Sequence, residues 1–209
     1  MVMVDEIDLN AKKQETIWVA HSLFNRCKTS GTTANISFLH DNTIYISCSG
    51  SCFGTLTEDD LAGVPLYGNS SNENIMKKPS KELPLHRVLY QKHVDVKAVI
   101  HTHSPYATLW SCLPHPDSRN IIPNYTPYLR MQLGKVVGVP YAAPGSEELF
   151  TLFEQCVGDE RGYLLLNHGP VVGGETMMKT FAALEELEQS AWIACYINEN
   201  KHLNIKEIS

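Results

Sequence analysis

The chain has 209 residues, 43% of them hydrophobic and 19% charged, enough for one compact domain over residues 1–209 and too few for two comfortable ones. Lys and Arg number 17 against 23 Asp and Glu, a net charge of -6 that lacks the basic surplus a nucleic-acid backbone demands. No apolar run approaches the roughly 20 residues that cross a bilayer, and the start MVMVDEIDLNAKK has no signal-peptide core, so a soluble cytoplasmic protein with six reduced cysteines is expected.

From Leu9 to about Cys27, Ile17, Ala20, Leu23 and Phe24 recur at helical spacing and predict a first helix. TSGTTANIS breaks it. Residues 35–40 and 43–47 then alternate as two strands around Asp41-Asn42, a hairpin turn. SCSGSCFG reads as a loop, and Thr57 before Glu58, Asp59 and Asp60 as the cap and acidic first turn of a short helix.

NSSNENIMKKPSKE (69–82) shows little periodicity and predicts a long loop, with Ser80 capping a helix from about Leu83 to His93. Pro84 fits that helix because it stands in the first turn. Residues 97–101 form the next strand, and Ser104-Pro105 opens another helix. VVGVPYA is a strand, 146–157 a helix, GYLLLN a strand, and 176 to about 198 a long helix with Phe181, Leu184, Leu187, Ala191 and Ala194 on one face. This alternation gives an α/β class with a mixed sheet.

Two strands end in imidazole. In AVIHTHSPYA, His101 and His103 share one face of an extended backbone. They are either a chelating pair or a core histidine beside a surface one. YLLLNHGPVVGG repeats the arrangement, its strand ending at Asn167-His168 and turning through Gly169-Pro170. If the two strands are neighbours, His101, His103 and His168 make a three-nitrogen site of the kind that holds a catalytic metal with an open position. Glu82, after the loop, either serves the helix dipole or works beside that metal in ligation and proton transfer. His86, one turn on, reads as a packing or supporting residue. The small-residue loops and Ser80-Lys81 offer backbone N–H groups suited to an anion.

TSGTTANIS, PSKELPLH, AVIHTHSPYA and NHGPVVGG occur in the order and approximate spacing of the class II aldolase/adducin family, which the chain resembles over about residues 10–200. The resemblance implies a three-layer α/β/α fold with a central, mainly antiparallel sheet, and a homotetramer with sites at subunit boundaries. It makes His101, His103 and His168 the metal ligands, with Glu82 the acid/base and a further ligand, and puts Asn35, Ser49, Gly50, Ser80 and Lys81 at phosphate-binding positions. The usual glycine before the asparagine is Ala34 here, which narrows that loop.

KPSKELPLH, NYTPYLRMQLGKVVGVPYAAPGS and NHGPVVGG are most similar to the members that decarboxylate 3-oxo-tetronate 4-phosphate to dihydroxyacetone phosphate through an enediolate. L-fuculose-phosphate aldolases have a small hydroxyl residue where Lys81 stands. Tyr125 and Tyr128 are candidate proton donors, Tyr128 the favoured one. The implied cofactor is a divalent cation, zinc foremost, with manganese or cobalt as alternatives. The expected partner is a phosphorylated sugar acid or ketose. A non-catalytic, adducin-like assembly module is the alternative from another class.

Overall fold

A computed structural model describes residues 2–68, 78–115 and 117–208. Residues 69–77, most of the expected long loop, lie outside the described residues. The elements are α1 (Val2–Asn25), β1 (Asn35–His40), β2 (Thr43–Ser47), β3 (Leu61–Pro65), α2 (Leu83–Lys92), β4 (Ala98–His101), α3 (Pro105–Ser111), α4 (Pro127–Leu133), β5 (Val136–Val139), α5 (Glu147–Cys156), β6 (Gly162–Leu165), β7 (Gly169–Gly174) and α6 (Met177–Glu199). The seven strands form one sheet in the order β3-β2-β1-β4-β7-β6-β5. Every pairing is antiparallel except β5 with β6.

Alternation along the strands divides the core in two. Ile36 and Phe38 of β1, Ile100 of β4 and Val172 of β7 face one way, against Val19 and Leu23 of α1 and Leu184 and Leu187 of α6. Ile44 and Ile46 of β2, Val99 of β4 and Val171 of β7 face the other way, with Leu85 and Leu89 of α2 and Phe153 of α5. The three-layer α/β/α arrangement follows directly. Among the described residues no helix is long and apolar enough to cross a membrane, and all six cysteines are free.

Several expectations need correction. The helix after Thr57 is a single 3-10 turn, Glu58–Asp60, closed by a reciprocal Thr57/Asp60 capping box. It leads straight into the edge strand β3. Ser80 does not cap α2; Glu82 occupies that position, and Ser80 Oγ instead accepts the Glu82 backbone N–H at 3.3 Å. Gly169-Pro170 is no turn but the beginning of β7, the turn being residues 166–168.

One buried carboxylate went unnoticed in the sequence. Glu188 of α6 accepts the Tyr106 and Ala107 backbone N–H groups at 3.0 and 2.8 Å, and so caps the first turn of α3, directly after the His101-to-His103 segment. Its 1% exposure makes this an interior anchor rather than a surface charge.

Candidate metal centre

β4 and β7 are neighbours, with His101 paired to Val171. His101 therefore ends one strand beside the start of the other, where the 166–168 turn delivers His168. Asn167 adopts φ 55°, a left-handed conformation asparagine tolerates, and this tight reversal brings His168 back over β4. His103, two residues past His101, completes the group. The three rings stand with centroids 5.1, 4.8 and 4.8 Å apart, and one ligand atom from each lies within 4.8 Å of the others.

Gly169 makes this approach possible. A Cβ there would stand 2.3 Å from the Thr102 carbonyl oxygen and 3.3 Å from His103 Cα, both backbone atoms that cannot swing aside. Gly169→Ala is expected to lower stability by about 1–3 kcal/mol and to spread the histidines apart. Urea denaturation and bound-metal analysis check the two effects; an unchanged midpoint with unchanged metal content contradicts them.

Glu82 reaches the cluster from the N-cap position of α2. Its Oε2 is 3.4 Å from His101 Nε2 and its Oε1 is 3.6 Å from His168 Nε2. Tautomers decide what these approaches mean. His101 Nδ1 lies 2.9 Å from the Pro170 carbonyl oxygen, which can only accept, so Nδ1 carries the proton and Nε2 presents a lone pair. Burial, then the neighbouring rings, push His101 and His168 down to about 3, and burial also lowers His103. The rings are thus neutral where they face the carboxylate, and His101 turns its bare Nε2 toward it. Glu82 Oε1 and Nε2 of all three histidines are buried with no hydrogen-bond partner. Three imidazoles with unpartnered nitrogens, converging within 4.8 Å, form a group able to hold a divalent cation, and an unpartnered Glu82 oxygen lies beside it.

The remaining expected residues are placed as follows. Ser49 and Gly50 are exposed beyond the end of β2; Ser49 N–H bonds to the Lys78 carbonyl and Gly50 takes φ 83°. Cys48 bridges to Pro79, which brings this loop against the Ser80-Lys81 segment. Lys81 lies over Gly145, with Nζ 3.3 Å from the Pro144 oxygen, and its charge is felt at His103 and His168. Asn35 turns its side chain inward. It is 3% exposed, with Nδ2 2.9 Å from Glu82 Oε2 and Oδ1 2.6 Å from His86 Nε2, so its side chain is committed inward at both ends. Tyr128 is 60% exposed on α4, whereas Tyr125 is partly buried against the core. His86, expected as a packing or supporting residue one turn beyond Glu82, is buried and bonded to Asn35.

An antiparallel-dominated α/β/α sheet with a three-histidine, one-carboxylate centre at the junction of two strands defines a metal-dependent class II aldolase-type protein. The chain belongs to the Class II Aldolase and Adducin N-terminal domain family, whose model matches residues 14–195. It is 35% identical over 200 residues to the 3-oxo-tetronate 4-phosphate decarboxylase of Escherichia coli K12, covering 94% of this chain and 93% of the relative. It is also 35% identical over 185 residues to an L-fuculose phosphate aldolase of Methanococcus maripaludis, covering 88% and 97%. Among solved structures, YgbL from Klebsiella pneumoniae superposes with a TM-score of 0.87 at 32% identity, over 96% of this chain and 94% of that one.

Proposed function

We propose that this chain is a cytoplasmic carbon–carbon lyase that decarboxylates 3-oxo-tetronate 4-phosphate to dihydroxyacetone phosphate and CO₂. The observation that carries this reading is the convergence of three imidazoles with unpartnered ring nitrogens, and an unpartnered Glu82 oxygen, in a buried site. Similarity to decarboxylases over nearly the whole chain supports the choice of substrate.

His101, His103 and His168, with Glu82, would hold the cation, and zinc suits three imidazoles and one carboxylate best. A divalent cation bound there supplies Lewis-acid stabilisation of the negative charge that departing CO₂ leaves on the substrate oxygens. The chain's own groups do the rest. Ser49, Gly50, Ser80 and Lys81 border an exposed, polar loop pair suited to the terminal phosphate, which fixes the substrate's orientation. Cleavage breaks the bond between the carboxylate carbon and its neighbour, and the electron pair moves into an enediolate. Glu82, having taken a proton from solvent, then delivers it to that neighbouring carbon, completing the hydroxymethyl group of the product. Exposed Tyr128 serves as a proton donor across a subunit boundary in a homotetramer.

The second reading is cleavage of L-fuculose 1-phosphate, favoured by the archaeal aldolase relative and passing through the same enediolate. Incubation of the metal-loaded protein with each substrate separates the two. Metal-dependent CO₂ release from 3-oxo-tetronate 4-phosphate is expected; its absence, with cleavage of L-fuculose 1-phosphate, rejects the decarboxylase. Absence of both activities and of any bound divalent ion supports a non-catalytic assembly module.

Lys81 tests the same distinction inside the chain. In Lys81→Ser the cation that faces the departing carboxylate or the phosphate is gone, and decarboxylation is expected to fall by about tenfold or more, the scale of a lost charge-assisted contact of 1.5–3 kcal/mol. Steady-state kinetics measure it, and an unchanged rate removes Lys81 from the reaction.

A further inference from the structure

Glu82 is the end of a buried hydrogen-bond chain that runs back into the core. Asn35 Nδ2 donates to Glu82 Oε2 at 2.9 Å, and Asn35 Oδ1 lies 2.6 Å from His86 Nε2. His86 Nδ1 is 2.7 Å from Ser37 Oγ, which is 2.7 Å from the Tyr90 hydroxyl. His86 and Ser37 are fully buried, and Tyr90 is 3% exposed. The backbone explains the alignment: Asn35 and Ser37 share the face of β1 that meets α2, while Glu82, His86 and Tyr90 follow one another at four-residue steps along α2.

The polarity of every link is determined. An amide oxygen only accepts, so His86 Nε2 carries the proton. Burial pushes His86 down to about 3, which leaves a neutral ring whose Nδ1 accepts from the Ser37 hydroxyl. Ser37 oxygen then accepts from Tyr90 O–H, and the Tyr90 oxygen in turn meets a backbone N–H of Val99. All the donors point toward Glu82, an arrangement in which each bond strengthens the next. The chain ends on one oxygen only. Oε2 accepts from Asn35 and lies 3.4 Å from His101 Nε2, while Oε1 has no hydrogen-bond partner and lies 3.6 Å from His168 Nε2.

We propose that His86 is a positioning residue for Glu82, acting through Asn35 to fix the orientation of the carboxylate against the histidine cluster, with Oε2 hydrogen-bonded and Oε1 left free of hydrogen bonds. The proposal rests on the reading of Glu82 as the proton carrier given above. It assigns the Asn35 side chain to the carboxylate, and only one of the two carboxylate oxygens to that hydrogen bond.

The tests are His86→Phe, which keeps bulk and removes the donor, and His86→Gln, whose amide nitrogen replaces Nε2. In His86→Phe, kcat is expected to fall about a hundredfold, the scale of a misplaced reacting group, while KM and inhibition by inorganic phosphate hold within about twofold. His86→Gln is expected to recover about tenfold of that loss. A folded His86→Phe protein with normal kcat, a loss confined to KM, or no recovery in His86→Gln overturns the proposal. Should His86→Phe fail to fold, Ser37→Ala serves: loss of the hydroxyl donor is expected to mix the His86 tautomers and lower kcat, and an unchanged kcat with mixed tautomers counts against the relay.

Two measurements need no turnover. ¹⁵N spectra of the metal-free wild-type protein are expected to show His86 protonated at Nε2 and bare at Nδ1; the opposite tautomer overturns the relay. Zinc titration of the metal-free proteins is expected to show affinity about tenfold weaker in His86→Phe, the scale of a lost supporting hydrogen bond, and equal affinity overturns the positioning role. A wild-type protein that passes both but releases no CO₂ refutes the proposed activity and leaves the relay standing.

Discussion

His103→Ala is expected to yield a folded protein that no longer retains a divalent cation and has no measurable lyase activity. His103 belongs to neither β4 nor α3, so its loss disturbs no ladder or helix. What it removes is one of three nitrogen donors. Loss of a mere supporting partner around a metal weakens binding by about 10–100-fold, and loss of a ligand itself exceeds that range. Competition against a chromophoric chelator and metal analysis of the purified variant give the measurement. Full occupancy in His103→Ala refutes the site as drawn, because the two remaining imidazoles and Glu82 would then suffice.

Glu82→Gln is expected to produce a different failure, with the fold and the three imidazoles retained, cation affinity lowered, and turnover lost even at saturating metal. The amide keeps an oxygen able to accept from Asn35, so the link to β1 survives. It cannot carry a proton to carbon at neutral pH. Removal of a positioned acid or base costs roughly 10²–10⁴-fold in rate, and the loss should appear in kcat with KM little changed. A Glu82→Gln enzyme within a few-fold of the native rate moves the proton transfer to another group, and exposed Tyr128 is the next to replace.

How far the site was legible depended on whether its signals were local. The β1–β2 hairpin was, since Asp41 and Asn42 both take positive φ at the turn the alternation required. The three histidines were, because each stands at or just beyond a strand terminus marked by an apolar run. β7 was not: GPVVGG has the composition of a loop, and it is a strand because its glycines accept close neighbours. Cβ atoms at Gly173 and Gly174 would meet Val96 at 3.2 Å and Thr180 Oγ1 at 2.5 Å. The edge strand β3, with Gly63 and Pro65 among five residues, and the seven-residue α4 were hidden by similar ambiguity. Ser80 had a good capping side chain and lost the position to Glu82, whose backbone alone makes the cap.

The partnership of Asn35 with Glu82 could not be read from either segment, since 47 positions separate them. The motif containing Asn35 suggested an anion loop because its small residues are those that expose backbone N–H groups. Whether the asparagine itself turned outward or inward depended on β1 facing α2, a fact of the assembled sheet.

The pairing of β4 with β7 ties cation affinity to chain folding. His101 and Pro170 touch across 69 positions of sequence, so the complete donor set exists only after that distant pairing has closed. A ligand that recognises only the native ensemble raises the melting temperature by mass action, and a concentration of 100 times Kd contributes about 2.7 kcal/mol. Chelation therefore makes this protein easier to unfold as well as inert, and the thermal midpoint becomes a gauge of metal supply.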